Sequence, residues 1–231
     1  MTSSLRPASA CHILITGLPG VGKTTIAKQI SDQLPESVKS GFYTAEIREG
    51  SDGKSGSRVG FKVVDLLTGY EGWLASVTPP CKGAERNCPQ VGKYFVNVES
   101  FESVALPALE INCQKHSQSA ANPGVRVVII DEIGKMELFS DRFKRAVSHL
   151  FNSTVDSTGS PSTTDSNKQR IVIVATIPAP PDVTKRRPMA FVESIRSRSD
   201  VTIFTVTKEN RDTIVNDIKC VLHQITGLDS V

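Results

Sequence analysis

The stretch "GLPGVGKTT" (17–25) gathers three glycines, a proline, a lysine and two threonines into a pattern suited to holding phosphate. Gly17, Gly22, Lys23 and Thr24 fit the spacing G-x-x-x-x-G-K-[ST]. Glycines let successive backbone N–H groups converge on an anion, and a helix starting at the loop adds the positive end of its dipole. In such a cradle Gly17, Leu18, Pro19, Gly20, Val21, Gly22, Lys23, Thr24 and Thr25 are the binding residues. Lys23 would reach the terminal phosphates, and the Thr24 hydroxyl would be a ligand of Mg²⁺. The bland alternative is a glycine-rich turn that happens to precede a lysine. An apolar strand before the loop and a helical pattern after it argue against that.

A cradle binds nucleotide without deciding its fate. The second informative stretch is "VVIIDEIG" (127–134), in which Val127, Val128, Ile129 and Ile130 form an apolar strand that ends in Asp131 and Glu132, followed by Ile133 and Gly134. Ligands of open α/β sheets bind at the carboxyl ends of strands. Asp131 fits a second Mg²⁺ ligand, direct or through water. A carboxylate one position on, Glu132, suits the general base that orients or deprotonates water for hydrolysis. Hydrolysis also needs positive charge beyond Lys23, usually from an arginine. Arg48 and Arg58 are the first choices, ahead of Arg186, Arg187, Arg196, Arg198 and Arg211, against the alternative of solvated ion pairs. Thr176, at the end of another apolar run, either contacts the attacking water or is a plain strand-end threonine. None of the histidines groups with a nucleophile, and Trp73 is expected to pack in the core rather than stack on a base.

The elements that must position these residues follow from periodicity. The run 11–16 reads as a buried parallel strand, and "KTTIAKQISDQL" as a helix stopped by Pro35. Strands are expected at 41–49, within 58–77 as one or two strands joined at Gly69, and at 93–98. A helix is expected from Ser100 onward, with Pro107 in its first turn or kinking it. After the strand 127–130 come a helix over 140–151 capped by Ser140 or Asp141, a strand over 170–178 and a helix over 191–198. A strand over 201–207 and a final amphipathic helix capped by Thr207 complete the chain. Alternating strands and helices predict an α/β fold with a mostly parallel sheet flanked by helices, and a β-rich segment added after the first helix.

Residues 153–168 are nearly all Ser, Thr, Asp, Gly and Pro, and read as a flexible surface insertion in a single domain spanning 1–231. With 39% hydrophobic and 22% charged residues the chain is an ordinary globular one, and its net charge of +3 shows no basic stripe to support a nucleic-acid partner. Five scattered cysteines are read as reduced thiols, with Cys81 and Cys88 as loop residues rather than a zinc site. No run approaches the roughly 18 apolar residues of a membrane span, so the expected location is the cytoplasm.

The segments "GLPGVGKTT", "FYTAEIRE…RVGFKVVDL", "VVIIDEIGKMEL", "ATIP" and "FVESIRSRSDVTIFTVTKENRD", in this order, closely resemble a family of P-loop nucleoside-triphosphatases. The likeness covers most of residues 11–224, and "DEIGKMEL" with "VTKENR" is far more specific than the cradle. The resemblance implies a P-loop NTPase domain and Mg²⁺-dependent hydrolysis of ATP, GTP and other nucleoside triphosphates, with broad base preference. It also places the two nucleotide-binding segments on Gly17–Thr24 and Val127–Gly134. The expected partner is a nucleoside triphosphate substrate, with no membrane or nucleic acid, and the expected state a monomer. "GSDGKSG" within 50–56, the polar run 113–124 and residues 153–168 depart from the family's compact pattern. A small-molecule kinase of the same loop class is the alternative, and a nucleotide-dependent switch a weaker one.

Overall fold

The computed structural model describes residues 11–50, 56–80, 88–110, 124–153, 170–185 and 187–228. The predicted insertion at 153–168 lies outside these apart from Ser153, as do Cys81, Cys113 and Arg186. The apolar run near the amino terminus forms β1 (His12–Gly17), buried along its whole length. Such burial requires cover on both faces, and the side chains divide accordingly: Leu14 packs with one helix layer, Ile13 and Ile15 with the other. The same division recurs in β7 (Val125–Ile130) and β8 (Arg170–Pro178).

Four further strands precede β7 after β2 (Lys39–Arg48): β3 (Arg58–Asp65), β4 (Glu71–Ser76), β5 (Gln90–Val91) and β6 (Tyr94–Val96). With β9 (Val201–Val206) they form one sheet in the order β5-β6-β4-β3-β2-β7-β8-β1-β9. From β2 to β9 in this order neighbouring strands run parallel; from β2 to β5 they run antiparallel. The sheet is therefore mixed, with parallel strands where the cradle and the Asp131–Glu132 pair lie and the β-rich segment as its antiparallel wing. One strand serves both parts. Lys39–Phe42 of β2 pairs parallel with Val127–Ile130, and the strand then runs on past the end of β7 as one arm of a hairpin with β3.

Helices α1 (Lys23–Gln33) and α6 (Ile214–Thr226) cover one face. The other is covered by α2 (Val98–Leu109), α3 (Asp141–Asn152) and α5 (Ala190–Arg196), the last preceded by the short α4 (Pro181–Thr184). Phe42, Phe101 and Phe143 meet under this second layer with ring centroids 5.1 to 5.9 Å apart, tying β2 to α2 and α3. Ser140 caps α3 as predicted, accepting from Phe143 N at 2.9 Å. Among the described residues no helix is long and apolar enough to cross a membrane.

Three local expectations fail for identifiable reasons. Thr207 does not cap the last helix: it forms a reciprocal turn with Asn210, whose Oδ1 accepts from Thr207 N at 2.8 Å, so the helix starts only at Ile214. Pro107 sits in the last turn of α2, which begins at Val98 rather than Ser100. Trp73 is 38% exposed, with Lys62 Nζ 5.6 Å from its ring centre, because β4 belongs to the wing and is covered on one face only.

Gly41 allows β2 to lie against β7. Its φ is +113°, and a Cβ there would stand 1.9 Å from Ile129 O. Gly41→Ala is expected to cost at least about 2 kcal/mol, combining an unfavourable φ with displacement of the parallel pairing. Urea unfolding checks this; a midpoint equal to wild type would contradict it.

Candidate active site

The cradle leaves β1 at Gly17 and enters α1 at Lys23. Gly22 occupies the helix N-cap position with φ +109°, a conformation that excludes most side chains. No side chain caps this terminus and no acid stands in its first turn, an arrangement whose dipole favours an anion there. Lys23 is buried, and its Nζ donates to Gly17 O at 3.0 Å and Leu18 O at 3.4 Å, arching back over the loop.

Asp131 is fully buried at the carboxyl end of β7 and joins three elements. Its Oδ1 accepts from Thr24 Oγ1 at 3.2 Å and from Thr176 Oγ1 at 2.7 Å. Its Oδ2 accepts from both the backbone N and Oγ1 of Thr44, each at 3.2 Å. The cradle and the acidic strand end thus meet at one rim of the sheet. Thr176 serves this carboxylate rather than standing free toward a water. Thr176→Val should cost about 1–3 kcal/mol, since it removes the shortest donor from a buried carboxylate. Denaturation in EDTA reads that loss, and an unchanged midpoint would mean that Thr176 does not support Asp131.

Thr24 and Asp131 together offer a hydroxyl and a carboxylate, the oxygen donors that a small hard cation prefers. Among the described residues no group of three or more His, Cys, Asp or Glu could hold a metal. A hydroxyl and a carboxylate fit a hard cation that keeps several waters in its shell.

Glu132 follows Asp131 through a cis peptide bond and is partly buried. Desolvation pushes its carboxyl above the ordinary glutamate value; Lys23 opposes that shift and Asp131 adds to it. Glu137, in the 3₁₀ turn Glu137–Phe139, was not singled out from the sequence. It is 5% exposed, and its Oε2 accepts from Gly134 N at 3.1 Å. Burial first, and then the nearby Glu132, push its pKa to about 8. The folded protein therefore holds a proton here that the unfolded chain releases near its ordinary 4.5. This contribution to stability is complete below about pH 4.5 and is lost as pH rises through about 8. Glu137→Gln should flatten that slope in unfolding free energy measured with EDTA across this range; an unaltered slope would refute the assignment.

Arg48 and Arg58, the first choices from the sequence, share one acidic partner. Arg48 Nη2 is 2.5 Å from Glu46 Oε1, and its Nη1 donates to Gly56 O at 3.2 Å. Arg58 Nη2 is 2.5 Å from Glu46 Oε2. These pairs stand on the hairpin beyond Thr44, each arginine more than a third exposed, and their partners are not groups of the cradle. Arg196 reaches the carboxyl ends of β1 and β8, donating to Thr16 Oγ1 at 3.3 Å and Pro178 O at 2.7 Å while pairing with Glu193. Arg198 pairs with Asp200 just before β9. Arg211 has Asp212 3.8 Å away, and Arg187 is exposed.

An α/β sheet with a glycine cradle at the carboxyl end of one parallel strand, joined to an acid at the end of another, is the arrangement of a P-loop NTPase. A family model described as NTPase matches residues 12–160. The human protein named cancer-related nucleoside-triphosphatase is 42% identical over 211 residues, covering 90% of this chain and 95% of that protein. The nucleoside-triphosphatase THEP1 of Thermotoga sp. strain RQ2 is 39% identical, covering 91% and 94%, and that of Aquifex aeolicus 35% identical, covering 92% and 99%. No solved structure gives a significant match. The chain belongs to the NTPase family.

Proposed function

We propose that this chain is a single-domain, Mg²⁺-dependent nucleoside triphosphate phosphohydrolase, converting ATP, GTP and other nucleoside triphosphates to the diphosphate and phosphate. The observation that carries it is the direct hydrogen bond between Thr24 and Asp131, which brings the phosphate cradle and the acidic strand end together with Glu132 beside them. Thr24 and Asp131 would hold Mg²⁺, which when bound neutralises phosphate oxygens. Lys23 would exchange the carbonyls of Gly17 and Leu18 for oxygens of the terminal phosphates. Glu132 would accept a proton from water as its oxygen attacks the γ-phosphorus in line; the bond to the bridging oxygen then breaks and the diphosphate leaves. A carboxyl raised by desolvation is a better base at neutral pH than an ordinary glutamate, provided it is still ionised there. Arg48 and Arg58 would stabilise the transition state only by exchanging Glu46 for phosphate. Broad base preference is supported by relatives whose names specify nucleoside triphosphates without singling out one base.

Phosphate release from a panel of ribo- and deoxyribonucleoside triphosphates, with Mg²⁺ or with EDTA and no acceptor, tests this reading. Release across several bases that stops in EDTA is expected. No release until a hydroxylated acceptor is added would identify a kinase instead.

A further inference from the structure

Two carboxyl groups converge on the backbone of Gly134. A Cβ built there would lie 3.0 Å from Glu132 Oε1 and 3.0 Å from Glu137 Oε2, so the two oxygens are within twice that distance of each other and a side chain at position 134 would press on both carboxyl groups. Glu137 is buried, and its carboxyl accepts from the N–H of Gly134 and from its own backbone N–H. Its own turn is anchored in both directions. Leu138 N donates to Gly134 O at 3.1 Å and Ser140 N to Glu137 O at 3.0 Å; Ser140 also caps α3 and donates from Oγ to Glu102 of α2 at 2.6 Å. Helices α2 and α3 are thereby connected through the turn to the segment that carries Glu132.

A buried carboxyl so close to Glu132 would harm hydrolysis if it were ionised, since a like charge there opposes the ionised base. As a neutral group it can still accept from Gly134 N. We propose that Glu137 is a positioning residue: an uncharged carboxyl brace that fixes the Asp131–Gly134 segment and holds Glu132 in line with the terminal phosphate. The inference rests on the phosphohydrolase reading and adds to it a residue that touches neither substrate nor metal.

The charged groups facing Glu137 are Glu132 and Asp131 at the strand end. On the helices packed against its turn, Glu102 pairs with Arg142 and accepts from Ser140 Oγ. Its pKa near 8 keeps it protonated at neutral pH.

Full-length wild type, Glu137→Gln and Glu137→Ala are compared by Mg²⁺-dependent phosphate release and by the affinity of a fluorescent non-hydrolysable triphosphate. Glu137→Gln, uncharged and still an acceptor, is expected to keep kcat within about threefold. Glu137→Ala is expected to lose about 10- to 100-fold in kcat at unchanged nucleotide affinity, the scale of a misplaced catalytic group. Should the alanine variant fail to fold, the pH profile decides: wild-type kcat should fall above about pH 8 as Glu137 ionises, and that limb should be absent in Glu137→Gln. Equal losses in the two variants, parallel losses of kcat and affinity, or an alkaline limb retained in Glu137→Gln would each overturn the proposal. A wild type that releases no phosphate would instead bring down the phosphohydrolase reading itself.

Discussion

Glu132→Gln is expected to lower turnover by about 10²-fold or more while nucleotide affinity stays near that of wild type, the loss typical of removing a general base. The amide keeps the size of the side chain and removes the charge that takes a proton from water. Its effect should therefore fall on the chemical step and spare the cradle, where Lys23 and the α1 terminus would meet the phosphates. Removing one of two neighbouring acids should also relieve repulsion at the strand end, since Asp131 is one of the causes that push the Glu132 pKa upward. Binding equal to or tighter than wild type, with kcat nearly abolished, is the expected pattern in a fluorescent-nucleotide titration paired with single-turnover hydrolysis. Turnover within a few fold of wild type would remove Glu132 from the chemistry.

Lys23→Ala is expected to lower kcat/KM by about 10²–10³-fold, with both binding and turnover affected. The Nζ lies close to the carbonyls of Gly17 and Leu18, so a small movement places its charge on a phosphate held by the same loop. That charge also opposes the desolvation of Glu132, so its removal should raise the Glu132 pKa further and leave less of the base ionised at neutral pH. Calorimetric titration with a non-hydrolysable triphosphate, alongside steady-state hydrolysis, separates the two parts. Unchanged affinity would contradict the cradle.

The candidate site at the sheet rim is largely legible in the sequence because it is made of local patterns. A loop spacing fixes where Lys23 and Thr24 go, and a continuous apolar run fixes that Asp131 ends a buried strand; the 3.2 Å contact between Thr24 and Asp131 follows once both strands share one sheet. What local patterns cannot carry is register. Thr44 reaches Asp131 only because β2 outruns β7 and turns into the antiparallel wing, a fact that alternation in "FYTAEI" does not contain. Glu137 escapes detection for a related reason. A single buried acid has no periodicity, and its only sequence signal is its place in "DEIGKMEL", where a third acid follows the glycine by three residues. Arg48 and Arg58 illustrate the converse: their positions near strand ends were readable, but their common partner Glu46 was not, because it depends on how the hairpin arms pair. The wing also explains Trp73, whose surroundings read as core in a sheet covered on both faces and are half open in one covered on a single face.

A crystal structure of the Glu132→Gln protein with ATP and Mg²⁺ tests the central claim most directly. The expected result is a triphosphate wrapped by residues 17–25, its terminal phosphate within hydrogen-bonding distance of Lys23 Nζ and facing position 132, with the ion on Thr24 and Asp131. A triphosphate seated away from this rim, or position 132 turned from the terminal phosphate, would contradict it.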